Sequence, residues 1–548
     1  MSLRNRLVLP VILSAIAVLA ACGGSNNAVI TPPPSGGFTN SNLNGTYVFS
    51  VTGSDSSGAF FTVVGTFTAD GNGGIKSGGV LDTNGNTSGP VTNQAITGGS
   101  YGVGADGRSA SSKALLTLTT ATQPYSFDFV LTSTEHGLIT EFGDGNTGSG
   151  TLDLQANVTQ SNIDSQSYAF NLTGTSGVST VYCGMGTSGN VIPFATVGAF
   201  TLDASGNIST GVQDFNNNCS SSGLTDLPFT GGSVSVATVP GTATLTTGAY
   251  SLAFDVYPVD ATHLKFIETD LTSGASLSGD AFTQTSSIPT ANVLVAAGVD
   301  ISTGASFGLA GILNTDGNGN ISSSSVEDYN EGSGNSGEVT SGITGNYTAL
   351  AGGRSVLTFT SSFLNGNGGA GCTACVFAAY PSSGGLQLLE IDNAGMTDGS
   401  AFLQGSSPVL ASGQGFGVNL SGGNLSVGAE EDDIVEFTNN SGTLGPGAID
   451  VNQGGTTTFA SKYSANYAAD STVTGRGVVT AVTHGYNLVT YGYGTSNQVV
   501  VSTDVNFVGI GFAVEQNATA KSNAAISHMA VLRLGPGARK ALKKRIAR

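Results

Sequence analysis

Four stretches of this chain repeat one another, and that repetition constrains the fold more than any local propensity does. They read TADGNGGIKSGGVLDTN (68–84), TLDASGNISTGVQDFN (201–216), TDGNGNISSSSVEDYN (315–330) and, degraded, TNNSGTLGPGAIDVN (438–452). Each is an Asx/Gly turn, then a short strand, then an Asp with Asn two residues on: Asp82, Asp214, Asp328 and Asp450. Other parts recur in the same order. Unit ends read TLDLQ, AFTQ, AFLQ and AVEQ, closing at Gln155, Gln284, Gln404 and Gln516. These markers predict units at 42–156, 164–286, 290–405 and 408–517, with 23–41 as a flexible tether and 518–548 as a basic tail.

Within a unit the pattern is that of strands. In unit one TYVFSV, FFTVVGTFT, GGIKSGGVL, QAITGGSYGV, KALLTLTT, YSFDFVLT, HGLITEF and GSGTLDLQ follow one another with short links. The sixth puts Tyr125, Phe127, Phe129 and Leu131 on one face and Ser126 and Asp128 on the other; YSLAFDV of unit two repeats it with Tyr250, Leu252, Phe254 and Val256. A period of two means one buried and one wet face. The fold class read here is all-β: four tandem eight-stranded antiparallel meanders, closed as small barrels or, alternatively, β-sandwiches. No long helix is expected outside the first 22 residues and the tail, where Pro536 can open a short basic one. Units of this size are expected to fold singly, as beads on a string.

Charge narrows the partners. Outside residues 1–22 and 533–548 only eight basic residues stand against all 36 acidic ones, a balance of −28. Such a surface repels phosphate backbones, which argues against nucleic acid as a partner. The tail RLGPGARKALKKRIAR carries seven basic residues and no acidic one.

The N-terminus carries the one motif specific to a family. Arg4 and Arg6 precede the apolar LVLPVILSAIAV, then LAAC ends at Cys22. This resembles the lipobox signal peptide of bacterial lipoproteins, and the chain is similar in plan to repeat-built surface lipoproteins. The resemblance implies cleavage before Cys22 and lipidation of its thiol, giving a membrane contact through that lipid. Gly23 in place of an aspartate resembles sorting to the outer membrane. The tether would then reach about 25 Å on average. Four further cysteines, Cys183, Cys219, Cys372 and Cys375, are an even number in an exported chain and predict two disulfides. CTAC lacks the second ligand pair of a zinc site and reads as a loop staple.

The candidate chemistry is sparse. From Asp316 an EF-hand pattern would need Gly at position six, where Ile321 stands, although Glu327 fits position twelve. The segment reads as a hairpin turn, with no metal and no cofactor expected. His136, His263 and His484 are each read as opening a seventh strand; Glu141 and Glu268 follow the first two by five positions, on the opposite face, which opposes a general-base dyad. Arg108, Arg354 and Arg476 each follow a glycine between the fourth and fifth strands. In a meander Asp70, Arg108 and His136 gather on one rim, either as a polar binding rim or as exposed ion pairs bracing turns. GxSxG, HExxH and Walker motifs are absent from the sequence. The expected function is a non-catalytic, envelope-anchored lipoprotein with a binding, adhesion or spacer role toward a cell-envelope or extracellular ligand. A ligand-sequestering barrel is the alternative, and a secreted-type hydrolase a third reading.

Overall fold

The computed structural model describes residues 37–177, 191–216, 224–248, 251–270, 274–300, 305–332, 336–361, 372–392, 395–406 and 409–519. Among them the strands form four closed eight-stranded antiparallel barrels, over residues 44–154, 167–283, 291–403 and 415–515. Barrels, not sandwiches, are formed because the eighth strand returns to pair with the first. In barrel 1 this register runs from Tyr47↔Leu154 to Ser54↔Thr147, and the other three close in the same way. Closure leaves no unpaired edge, which suits strands this rich in Thr, Ser and Gly.

One glycine in each eighth strand permits that closure. Gly150, Gly279, Gly399 and Gly511 each stand five residues before the unit-end Gln. A Cβ there would lie 1.6, 2.0, 2.5 and 1.9 Å from the carbonyl oxygens of Ser50, Asn171, Val295 and Asn419 of the first strands. Only a residue without a side chain fits that approach.

Each barrel is filled by its own side chains. Tyr125, Phe127, Phe129 and Leu131 meet Tyr47, Phe49 and Phe67 inside barrel 1, and Leu252, Phe254 and Val256 lie inside barrel 2. Tyr250 lies outside the described residues. Phe38 and Leu43 belong to the core of barrel 1, at 2 % and 0 % exposure, so the chain is already packed several residues before the expected end of the tether.

The outer faces depart from expectation. The fourth strand of barrel 1, Val91–Ser100, is largely open to solvent. By contrast Phe60–Asp70, His136–Glu141 and Thr147–Leu154, the second, seventh and eighth strands, are buried almost throughout on both faces. Asp128, expected on a wet face, is fully buried. The reason is that the barrels are not beads. Strands one to three of each barrel pack against strands six to eight of the next, and barrel 4 packs in the same sense on barrel 1. Head-to-tail interfaces of one kind close into a ring when the rotation allows, here within a single chain. Apolar contacts seal the seams: Val48 and Val64 with Tyr257, Val259 and Ile267 between barrels 1 and 2, and Ala195, Val197 and Ala199 with Tyr380, Leu389 and Met396 between barrels 2 and 3.

Candidate functional site

The repeated polar residues converge on these four seams. The Asp of each Asp-x-Asn sits near the end of a third strand and points out of its barrel into the neighbour. Asp214 takes two hydrogen bonds from Arg354, at 2.7 Å from both Nε and Nη2, and one from the Tyr380 hydroxyl. Asp328 is bound in the same way by Arg476, at 2.8 and 2.9 Å, and by Tyr491. Asp450 closes the ring by accepting from Arg108 of barrel 1. Asp82 meets Tyr257 at 2.7 Å; unit two has Pro240-Gly241 in place of the arginine, and Asp255 lies beside Asp82 instead. The backbone N–H groups of Asn93, Asp226 and Ala460, all at φ of 55–56°, hold three of these carboxylates from within, or just before, their own fourth strands.

The Asn two residues on pins the far end of each seam. Asn84 donates to the Glu268 carbonyl at 2.8 Å, Asn216 to Glu390 and Gly395 at 2.7 and 3.0 Å, and Asn452 to Glu141 and Asn146 at 2.7 Å each. Asn330 donates to Ser502, Asp504 and Phe507 at 2.8–3.0 Å. All of these carbonyls belong to the seventh-to-eighth strand hairpin of the following barrel. The unit-end glutamines pin the opposite end. Gln155 reaches the Pro258 carbonyl, Gln284 that of Gly352, Gln404 that of Thr474, and Gln516 those of Asp106 and Leu131, at 2.8–3.0 Å. Each seam is therefore fastened at three levels by residues that recur in sequence.

The histidines join a fourth set. His136 bonds Asp153 at 2.7 Å and His263 bonds Asp280 at 2.7 Å, and Lys265 of barrel 2 lies between them, 3.3 Å from Asp153 and 3.1 Å from Asp280. Burial opposes the charge on Lys265, but the two carboxylates outweigh it and raise its pKa. Burial likewise tends to raise Asp153 and Asp280, yet Lys265 holds both well below the usual carboxylate range. His484 corrects the expectation: it does not open a seventh strand, which is Asn497–Ser502, but lies exposed in the turn between the fifth and sixth strands, against the Lys462 carbonyl at 2.9 Å.

The expected rim is not assembled. Asp70 is half-buried and accepts from Asn72 and Gly74 within its own turn, at 2.7 and 2.9 Å, which lowers its pKa. Arg108 is 1 % exposed and bound to Asp106 and Asp450, and His136 is bound to Asp153. The arginines are buried seam residues, not exposed braces of turns. Asp316 in the third repeat accepts from the N–H groups of Asn318 and Asn320 at 2.7 and 3.0 Å, so its carboxylate is committed to the turn. Cys375 is buried on an inward face and disulfide-bonded. Cys22, Cys183, Cys219 and the tail lie outside the described residues, as does the side chain of Cys372.

The seam between barrels 4 and 1 is rich in buried carboxyls. Asp128, Asp433 and Glu436 are buried near Arg108 and Asp450, and burial first, then neighbouring carboxylates, pushes all three well above the usual range. The carboxyl oxygens of Asp433 and Glu436 have no hydrogen-bond partner, which favours the neutral form. Asp432, bonded by Ser149 at 2.7 Å, is pushed by burial up to about 7. The interior of barrel 4 offers little room: a cavity of about 20 Å³ there, lined by Val418, Leu420, Phe437 and Tyr463 among others, holds about one water. A wider cleft of about 480 Å³ lies between the Pro381–Leu386 hairpin, Phe402 and Tyr493, and no Asp, Glu, Lys, Arg or His lines it.

No family model and no curated protein matches the chain. Solved structures similar to it include transferrin binding protein B of Haemophilus parasuis Hp5, described as a vaccine antigen. A double mutant is 9 % identical over 71 % of this chain and 84 % of that one, with a TM-score of 0.16. A single mutant is 10 % identical over 72 % and 83 %, with a TM-score of 0.17. Intact Ap-TbpB, with its N and C lobes, is 10 % identical over 70 % and 83 %, with a TM-score of 0.16. Likenesses this distant say nothing of what this chain binds.

Proposed function

We propose that the chain is a non-catalytic lipoprotein, anchored to the cell envelope through Cys22, that presents a rigid ring of four barrels as a binding or spacer platform. The observation that supports this reading is the fate of the recurring polar residues. Arg354, Arg476, Asp214 and Asp328 are consumed in seams between barrels, where they are buried and fix one barrel against the next. The narrow interior of barrel 4 weighs against sequestering a ligand inside it. The surface left for a partner is the outer one formed by the fourth and fifth strands, with alternating exposure as in Gly241–Thr247. Cells expressing the wild type and Cys22→Ser are fractionated and then treated with external protease. The wild type is expected in the membrane fraction and Cys22→Ser as a released soluble species; equal membrane retention of both would overturn the anchoring.

A further inference from the structure

Barrel 3 lacks the histidine that opens the seventh strand of barrels 1 and 2. In barrel 2 the His263 ring stacks on Phe282 of the eighth strand, with centroids 4.3 Å apart. Gly385 takes that place in barrel 3, five residues before Glu390 as His263 is before Glu268. Phe402 corresponds to Phe282, two residues before the unit-end Gln. Gly385 has a φ of 105°, and a Cβ there would lie 2.5 Å from the Ala401 carbonyl oxygen, so a side chain is refused at that position. The cleft of about 480 Å³ opens at this point, with Gly385 and Phe402 in its lining and Tyr493 contributed by barrel 4.

The walls of the cleft come from three barrels and are tied to one another. The segment after barrel 2 meets the Pro381–Leu386 hairpin through the Thr285 N–H, which donates to the Pro381 carbonyl at 3.0 Å, and the Ser383 N–H, which donates to that of Thr283 at 2.8 Å. Barrel 4 is held to the same place by the Gly494 N–H, 3.0 Å from the Leu403 carbonyl. A site fixed by backbone bonds loses little ordering entropy when it is filled, and its volume lies in the range of about 300–1,000 Å³ usual for small-ligand sites.

The lining selects the chemistry of the occupant. It carries no charged side chain among the described residues, so a charged ligand finds no counter-charge there, and the acidic body repels an anion besides. The apolar part is the aromatic pair Phe402 and Tyr493, with ring centroids 4.8 Å apart. The polar part is hydroxyl-bearing: Thr285, Ser287 and Ser383 are exposed at the cleft. An uncharged sugar has the matching surface, a C–H face for the aromatic pair and a hydroxyl edge for the Ser and Thr side chains.

We propose that this cleft binds a neutral saccharide. The site goes beyond the outer partner surface described above and does not depend on Cys22, so its failure would leave the anchoring standing. The purified full chain is tested by saturation-transfer NMR with cellobiose, lactose and N,N′-diacetylchitobiose as probes, and with glucuronic acid and glucosamine as charged counterparts. Saturation is expected to reach at least one of the neutral disaccharides and neither charged sugar. Ser287→Trp and Ser383→Trp, each adding an indole to a different exposed wall, should abolish the transfer with the thermal midpoint unchanged. Transfer to none of the three disaccharides, equal transfer to a charged sugar, or transfer retained in either Trp variant overturns the proposal.

Discussion

The residue that decides most here is the aspartate of each Asp-x-Asn. It is a small acidic residue beside a turn, where exposure is the usual outcome, yet Asp214 and Asp328 are 0 % exposed and face a guanidinium from another barrel. Removing one partner of a buried ion pair leaves the other charge without compensation, which costs about 3–5 kcal/mol. Asp214→Ala is therefore expected to destabilise the protein by that order, read as a fall in the urea midpoint. Asp316→Asn, in an exposed turn, is expected to shift it by less than about 1 kcal/mol. Equal effects of the two substitutions would show that the seam does not contribute to stability. The recurrence of Asp214 and Asn216 in four copies was visible in sequence. Their partners were not, because Arg354 and the Glu390 carbonyl lie in another unit, and no local pattern encodes which units meet.

At the scale of the element, alternation in the sixth strand reported the barrel core correctly: Phe127 and Phe129 point inward. The same alternation misled about the other face, since a period of two identifies one buried side and is silent on what covers the second. In barrel 1 the first and eighth strands carry Thr52, Ser149 and Thr151 outward, small polar residues that read as wet but bond Ser278, Asp432 and Lys265 of the neighbouring barrels. The eighth-strand glycines serve closure within a barrel. Gly279→Ala would place a Cβ 2.0 Å from the Asn171 carbonyl oxygen, and the strand must shift. An expected loss of about 1–3 kcal/mol is measurable by thermal unfolding. Gly248→Ala, where the added carbon meets nothing within 4 Å, is the comparison, and a loss there as large as at Gly279 would remove the steric explanation.

For the whole molecule, the ring makes stability depend on pH with a definite sign. Burial, first of all, pushes Asp255, Asp398 and Asp432 up to about 7, and these groups sit in three different seams. A carboxyl whose folded pKa is raised contributes fully below its unfolded pKa of about 4, and that contribution is lost as pH climbs through about 7. Asp153 and Asp280, held low by Lys265, act in the opposite sense, and their stabilisation is lost as pH falls below about 4. The ring is thus expected to be most stable in mild acid, with a thermal midpoint that falls from about pH 5 to about pH 7. Asp398→Asn combined with Asp432→Asn should flatten that fall. A midpoint that rises over this range, or an unchanged slope in the double variant, would contradict the placement of neutral carboxyls in the seams.

Sequence alone determined that there are four units, that each is built of eight strands, and that particular polar residues recur in step. Repetition and a period of two are properties of the chain itself, and hydrophobic burial converts them directly into strands with an inner face. What only the tertiary structure decided is that the units close head-to-tail, so that Arg108 meets Asp450 and Ala518 meets Asn42. Those contacts join residues several hundred positions apart, and their energy comes from desolvating a surface that a single unit would have left in water.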